Sequence, residues 1–467
     1  MALNKNVIIA IAVVAVIAIA AVAAFALLNG GGSNDSAEEG ARVGNTISQS
    51  DFPDSDSRLW VYGNANEDDR IDSEDVTALE SMIKGTLPKT QLADANADGT
   101  VDSKDVDHLK KMISADSSTK MNVYYIDNYF KVAKVSWPVK TIATSYCSGL
   151  YTAEATGLTP KLVAVDDTIA TYWAKLNSYA AKARSFGSTE TPNYEILIES
   201  KVDVYIPGYC DSKADVESPG KLNPAGIDVM YMNTCDNSGV DIPNEYIDRS
   251  IVMFGYLLQG DMKLTYEYLG WHDKALNAAK EAASKIKETD KGALIMSRNA
   301  PSYIDTGTYS LTGKGNTNMI HADWAGCYVI ADHSSWLPLN YNSLKTENIL
   351  TILKETKDSG HSIVYWIDNE HDGLRGQRDL DVTVASWAKE LQTSVTENHY
   401  LGMAREAGNS PLYVIEMLFY LNVMHPGLLS LDFEEEFEYF IDHFTLEKEK
   451  YRNEMDIDNF FKDYGTL

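Results

Sequence analysis

Two acidic twelve-residue loops, thirty positions apart, carry the densest chemistry in the sequence. The second runs from Asp94 through Asn96, Asp98, Gly99, Thr100 and Asp102 to Asp105. The first runs from Asn64 through Asn66, Asp68, Asp69, Arg70 and Asp72 to Asp75. In both, side-chain oxygens fall at loop positions one, three, five, nine and twelve, and Arg70 and Thr100 at position seven supply a backbone carbonyl. A hard cation taking six to eight oxygens needs that spacing, with a glycine bend at position six. Calcium is therefore the expected ion at two sites. The second loop has the full pattern. In the first, Asn64 stands where an acid is usual and Asp69 where the bend glycine is usual, which weakens the assignment there.

Each loop runs into the same apolar helix stub: Val76, Leu79, Met82 and Ile83, then Val106, Leu109, Met112 and Ile113. A duplicated loop–helix unit with Asp rather than Glu at position twelve resembles a dockerin, the module that plugs into a cohesin. The resemblance implies calcium-dependent docking to a cohesin-containing protein through loop positions ten and eleven, which here are Ser73, Glu74, Ser103 and Lys104. It also implies a chain that works outside the cell.

These loops sit near the start of a chain of 467 residues, long enough for two or three domains. Before them, 7–28 is an unbroken apolar stretch. At about 1.5 Å per residue it reaches roughly 33 Å, the depth of a bilayer core. An uncleaved anchor is the favoured reading, with a signal cleaved near 20–24 as the alternative. Lys5 precedes the span and acids follow it, so the amino end is expected inside. That predicts a protein on the outer face of the cytoplasmic membrane, with the membrane as a partner. The net charge of −28 argues against nucleic acid and anionic lipid surfaces. Cys147, Cys210, Cys235 and Cys327 match no zinc spacing; disulfides in any of three connectivities and free buried thiols both remain open.

The expected organisation is an anchor or signal helix at 1–29, a flexible linker at 30–57 and the loop module at 58–115. The body then divides into an α/β lobe at 121–243, connecting helices at 244–288 and a second α/β lobe at 289–467. Short β-branched runs predict strands at 139–144, 161–165, 202–206, 228–232, 293–297, 327–330 and 362–367. A helix is predicted over 169–183. Between the lobes, Leu264, Tyr268, Trp271, Ala275, Ala278, Ala279, Ala282 and Ile286 recur at three- and four-residue steps, which predicts one long helix over 262–287. The fold class is thus α/β: two Rossmann-like lobes joined by one long helix, preceded by a small all-α EF-hand-like dockerin module and a transmembrane helix.

That layout resembles the class III substrate-binding proteins of ABC importers for iron–siderophore complexes, haem and cobalamin. Local stretches carry the resemblance over 139–464. They are Val-Lys-Thr-Ile-Ala-Thr-Ser at 139–145 and Leu-Val-Ala-Val-Asp at 162–166, then a segment from Pro192 with Glu195 ahead of a strand opening at Asp203. In the second half they are Leu344-Lys-Thr-Glu347, His425-Pro-Gly and the Phe460-Phe-Lys-Asp-Tyr464 ending. The resemblance implies binding without catalysis, an ABC permease as partner and one docking acid per lobe. Glu347 matches the second-lobe acid. Tyr151 stands at the first-lobe position, so Glu154, one turn further on, is the candidate there.

Ligands of open α/β sheets sit beyond the carboxyl ends of the strands. Those ends give Tyr146, Cys147, Ser148 and Tyr209 in the first lobe and Arg298, Asp368 and His371 in the second, with Trp173, Tyr303 and Trp324 nearby. Aromatic walls suit a large flat cargo, an iron chelate, haem or corrinoid, and a guanidinium such as Arg298 suits an anionic one. No Gly-x-Ser-x-Gly elbow, zinc-helix spacing or phosphate loop is present, so no enzyme is expected. The alternatives are a dockerin-borne carbohydrate-active enzyme, because dockerins most often tow glycosidases, and a scaffold component that does not transport.

Overall fold

A computed structural model describes residues 42–46, 57–207, 213–232, 246–297, 308–368, 397–408, 410–454 and 457–466. The loop module comes first. Its helices α1 (Ser73–Ile83) and α2 (Ser103–Ile113) each start on the last turn of a loop, with Asp72 and Asp102 as N-caps. In both, the position-twelve acid returns a bond to the backbone of the cap, a reciprocal capping box. Leu79, Met82, Val106 and Leu109 close a small core with Ala65, Ala93 and Ala95.

An antiparallel hairpin follows, β2 (Met121–Ile126) and β3 (Lys131–Trp137). Two earlier segments flank it. Residues of the expected linker form β1 (Arg42–Thr46), paired antiparallel on β3. On the other side Tyr62 donates to the Tyr124 carbonyl at 2.9 Å, and Ile126 donates to that of Trp60 at 3.0 Å.

The first lobe is a five-stranded parallel sheet in the order β6-β5-β4-β7-β8. Its strands are β4 (Ile142–Thr144), β5 (Leu162–Val165), β6 (Arg184–Ser185), β7 (Val204–Ile206) and β8 (Asp228–Val229). Helices α3 (Tyr146–Ala155), α4 (Tyr194–Glu199) and α5 (Lys213–Leu222) connect them. The helix expected over 169–183 is broken into a wide turn at Ile169–Trp173 and a short turn at Ala180–Lys182. Asn177 explains the break. Its Oδ1 accepts from the backbone N–H groups of Tyr179 and Ala180 at 2.9 and 3.1 Å, and its amide donates to Glu154 at 2.6 Å.

Helices α6 (Tyr246–Leu257) and α7 (Met262–Ala283) lead to the second lobe. Asp261 caps α7 by accepting from Lys263 and Leu264. Its 22 residues span about 33 Å, four residues short of the expected end. Thr265, Tyr268, Leu269, His272, Ala275, Leu276 and Ala279 form one buried face. That face meets α3 of the first lobe and helices of the second, so α7 bridges the two.

The second sheet runs β12-β10-β9-β13-β14-β15, with β11 paired to β9. Strands β9 (Ala293–Ser297), β11 (Tyr328–Val329), β13 (Ile363–Asp368) and β14 (Glu397–Met403) are parallel. Strands β10 (Thr308–Thr312) and β15 (Phe461–Gly465) run against them, and β12 (Tyr341–Lys345), antiparallel to β10, shares the direction of β9. Helices α8 (Thr317–Trp324), α9 (Thr346–Asp358), α10 (Tyr413–Met424), α11 (Phe433–Phe444) and α12 (Lys448–Glu454) complete the lobe. Helix α10 is buried from Tyr413 to Leu421, and it lies along α7.

The expected membrane anchoring is corrected here. Among the described residues no helix is long and apolar enough to cross a membrane. The longest, α7, carries Lys263, Glu267, Asp273, Lys274, Lys280 and Glu281 along its length. The apolar stretch at 7–28 lies outside the described residues. Among the described residues the architecture is therefore a bilobed α/β fold behind a helical loop module, with no transmembrane helix to support the expected anchoring.

Candidate functional site

The second loop is built around converging oxygens. Asp94 accepts from the backbone N–H groups of Asp98 and Gly99 at 3.1 and 2.7 Å, and Asn96 Oδ1 accepts from Asp98 at 2.8 Å. Asp98 accepts from Thr100 at 3.0 Å, and the two oxygens of Asp105 from Asn96 and Asp102 at 3.1 and 2.7 Å. Gly99 takes φ +86° at the bend, a conformation that favours glycine. Burial pushes the Asp94 carboxyl above its ordinary value, a cost that a bound cation would relieve. The donor set fits calcium: Asp94, Asn96, Asp98, Asp102 and Asp105, with the Thr100 carbonyl.

The first loop repeats the outer frame. Asp75 accepts from Asn66 and Asp72 at 3.1 and 2.8 Å, and Asp68 accepts from Arg70 at 2.6 Å. Burial drives the Asp75 carboxyl up to about 6 against those two donors. The departures sit where the loop meets the body. Asn64 is fully buried; its amide donates to the Leu59 carbonyl at 2.8 Å, while its Oδ1 has no hydrogen-bond partner. That orphaned oxygen at position one suits a cation. Asp69 lacks the positive φ of Gly99, and its carboxylate accepts from the Arg58 backbone N–H, Nε and guanidinium at 2.6, 3.0 and 2.8 Å. The docking positions Ser73, Glu74, Ser103 and Lys104 are all exposed on the first turns of α1 and α2.

In the first lobe the carboxyl end of β4 passes straight into α3 at Ser145. Tyr146 is forced to φ +65°, a strained conformation for a non-glycine residue. Asp166, at the end of β5, is fully buried and accepts from Ile169 N–H at 2.9 Å and the Thr189 hydroxyl at 2.7 Å. Burial raises its pKa, partly offset by those donors and by the Tyr146 N–H. The predicted contacts Tyr146, Cys147, Ser148 and Trp173 all stand at this strand end, and Tyr146 and Trp173 have ring centroids 6.5 Å apart. All four are buried.

Trp324 is half-buried against α7, with the Lys280 ammonium 4.6 Å from its ring. Tyr209, Arg298, Tyr303 and His371 lie outside the described residues, as does the side chain of Asp368. Cys147 and Cys327 are buried, while Cys210 and Cys235 lie outside the described residues.

The two docking acids separate. Glu347 is exposed on the first turn of α9. Glu154 is corrected: it is buried, accepting from Asn177 at 2.6 Å and from the Tyr451 hydroxyl. Burial drives its pKa up to about 7 against those bonds. Buried there, it is not exposed for the docking contact expected of it. Its partners come from 23 and 297 positions away, a proximity no local pattern announces.

Sequence reasoning also missed a buried polar cluster on the spanning helices. Asp248, His272 and Asp273 place ligand-type atoms within 4.8 Å of one another, a triad capable of coordinating a metal. His272 Nε2 lies 3.2 Å from Asp248 and Nδ1 lies 3.8 Å from Asp273. The Tyr413 hydroxyl lies 3.3 Å from each oxygen of Asp248, and Arg58 grips Asp273 at 2.7 and 3.2 Å.

Comparison with known proteins places these parts. The family profile of the dockerin type I domain matches residues 62–114. A search of curated proteins returns no match. Among solved structures, a periplasmic solute binding protein from Veillonella parvula DSM 2008 is 15% identical with TM-score 0.50, covering 72% of this chain and 97% of its own. The TroA-like periplasmic binding protein FepB from Veillonella parvula is 13% identical with TM-score 0.53, covering 69% and 96%. The molybdate periplasmic binding protein MolA from Haemophilus influenzae, bound to molybdate, is 12% identical with TM-score 0.52, covering 69% and 97%. The body has the class III periplasmic solute-binding-protein fold. That fold is set here behind a dockerin-like module.

Proposed function

We propose that the chain is the substrate receptor of an ABC importer, carrying a bulky metal chelate or metal-containing cofactor to a membrane permease. The cargo classes are an iron–siderophore complex, haem or a corrinoid. What supports this most is the bridge: one 22-residue helix joins a parallel-sheet lobe to a mixed-sheet lobe. A seam spanned by one continuous helix allows only small lobe movements, so affinity comes from a largely preformed cleft. The strained Tyr146 backbone, pinned by Asp166 at a strand end, is the kind of preorganisation such a cleft needs.

In this reading Tyr209, Arg298, Tyr303, Asp368 and His371 reach the cargo from the strand ends, with Arg298 holding an anionic group. Glu347 meets the permease. The dockerin-like module binds two calcium ions and engages a cohesin-type partner through Ser73, Glu74, Ser103 and Lys104.

The test uses the full chain with haem, cyanocobalamin and a ferric hydroxamate, read by tryptophan fluorescence and native mass spectrometry. Saturable one-to-one binding of at least one probe, weakened at least tenfold by Arg298→Ala, is the expected result. A flat response to all three ends the proposal.

A further inference from the structure

The two cation loops are not equivalent in their surroundings. The second faces solvent: Asp98, Gly99, Thr100, Ser103 and Lys104 are exposed. The first lies against α7. Asp69, at the position where the second loop has its bend glycine, turns its carboxylate to Arg58, and the other side of the same guanidinium holds Asp273 on α7. The Tyr266 hydroxyl donates to the Asp69 carbonyl at 3.0 Å, and the Arg70 guanidinium sits 4.2 Å over the Tyr266 ring. One turn before the loop, Trp60 stacks under the Arg249 guanidinium of α6 at 4.1 Å.

The contacts continue inward as acids and bases in alternation. Arg58 meets Asp273, Asp273 neighbours His272, and His272 meets Asp248. Beyond it, Tyr413 of α10 stacks on His321 at 4.2 Å, and His321 lies 3.3 Å from Glu416. Every member after Asp273 is buried. The file therefore joins a cation loop to the helix that bridges the lobes and to the central helix of the second lobe.

We infer that the first loop is a clasp on the spanning helix, through which cation binding in the dockerin-like module is coupled to the order of α7 at the lobe seam. The physical ground is short. An ion at this loop draws in Asp68 at position five and the Arg70 carbonyl at position seven, and Asp69 lies between them. Asp69 cannot be repositioned without moving Arg58 and Tyr266, and both are bonded to α7 or belong to it. Linkage makes the coupling reciprocal: whatever orders the seam must tighten cation binding at this loop. The inference rests on calcium occupying the first loop, and the test separates that premise from the coupling.

The experiment is hydrogen–deuterium exchange on the full chain in calcium or in EGTA, with calcium stoichiometry measured by native mass spectrometry. Two bound ions and slower exchange across 262–283 in calcium are expected, by at least threefold. Tyr266→Phe, which removes one hydroxyl and leaves the fold intact, should cut that protection while the response of 94–105 stays. Asp94→Asn in the second loop should leave the α7 response in place. Two ions with no change at α7 would overturn the coupling, and so would an α7 response that follows the second loop. A single ion, lost in Asp94→Asn, would overturn it through its premise.

Discussion

The two loops of the dockerin-like module share a frame and differ in what surrounds them. Both close a capping box with their last acid, and both place Asn or Asp at positions one, three and five. The second keeps glycine at the bend and spends its side chains on the ion site. The first gives up the glycine and sends Asp69 outward to the body. A substitution that reads as erosion of a cation site is, in the structure, a contact between modules.

The largest effect expected from breaking the difference comes from Arg58→Ala. It leaves Asp69 and Asp273 facing each other without the guanidinium between them, and burial of Asp273 is outweighed by the nearby His272 ring and the bonded Arg58 guanidinium, which hold it at about 2. Chemical denaturation should show a loss of about 2–4 kcal/mol. Lys104→Ala, which breaks an exposed pair with Asp98 in the second loop, should leave the midpoint unchanged. Equal losses for the two would erase the distinction.

Next comes pH, which separates body unfolding from module unfolding. Burial raises Glu154 to about 7, above its ordinary value, so this group stabilises the fold relative to higher pH only while it can be protonated. The contribution is full below about 4.5 and is lost as pH rises through about 7. The melting temperature should therefore fall between pH 5 and pH 8 by an amount equivalent to about 2 kcal/mol. Glu154→Gln should flatten that slope and leave the calcium response alone.

The smallest effect is expected from Asp69→Gly, which makes the first loop imitate the second. Arg58 keeps Asp273, so the stability loss should be about 1 kcal/mol. Calcium affinity of the first loop, measured by titration calorimetry, should rise or hold even as stability falls. A fall in both would mean that Asp69 serves the ion rather than the clasp.

Much of this was legible before the fold was known, and the reason is locality. The cation loops are twelve-residue patterns, and α7 is a single amphipathic repeat, so both could be read from spacing alone. Strand β9 is an uninterrupted buried run and matches its expected limits. What escaped is non-local. Glu154 looks like a surface helix acid until Asn177 and Tyr451 arrive around it. Arg58 bridges residues 11 and 215 positions away. Strands β10, β12, β14 and β15 gain their order from neighbours in the sheet, and β1 from pairing with β3, which no run of side chains announces.

The Arg58 grip has a consequence for any partner that takes hold of the first module. A body hung from a loose string would have to find its bearing anew each time the module was held, at an entropic cost incurred every time. Here the orientation of the two-lobed body relative to the loop module is settled once, when the chain folds.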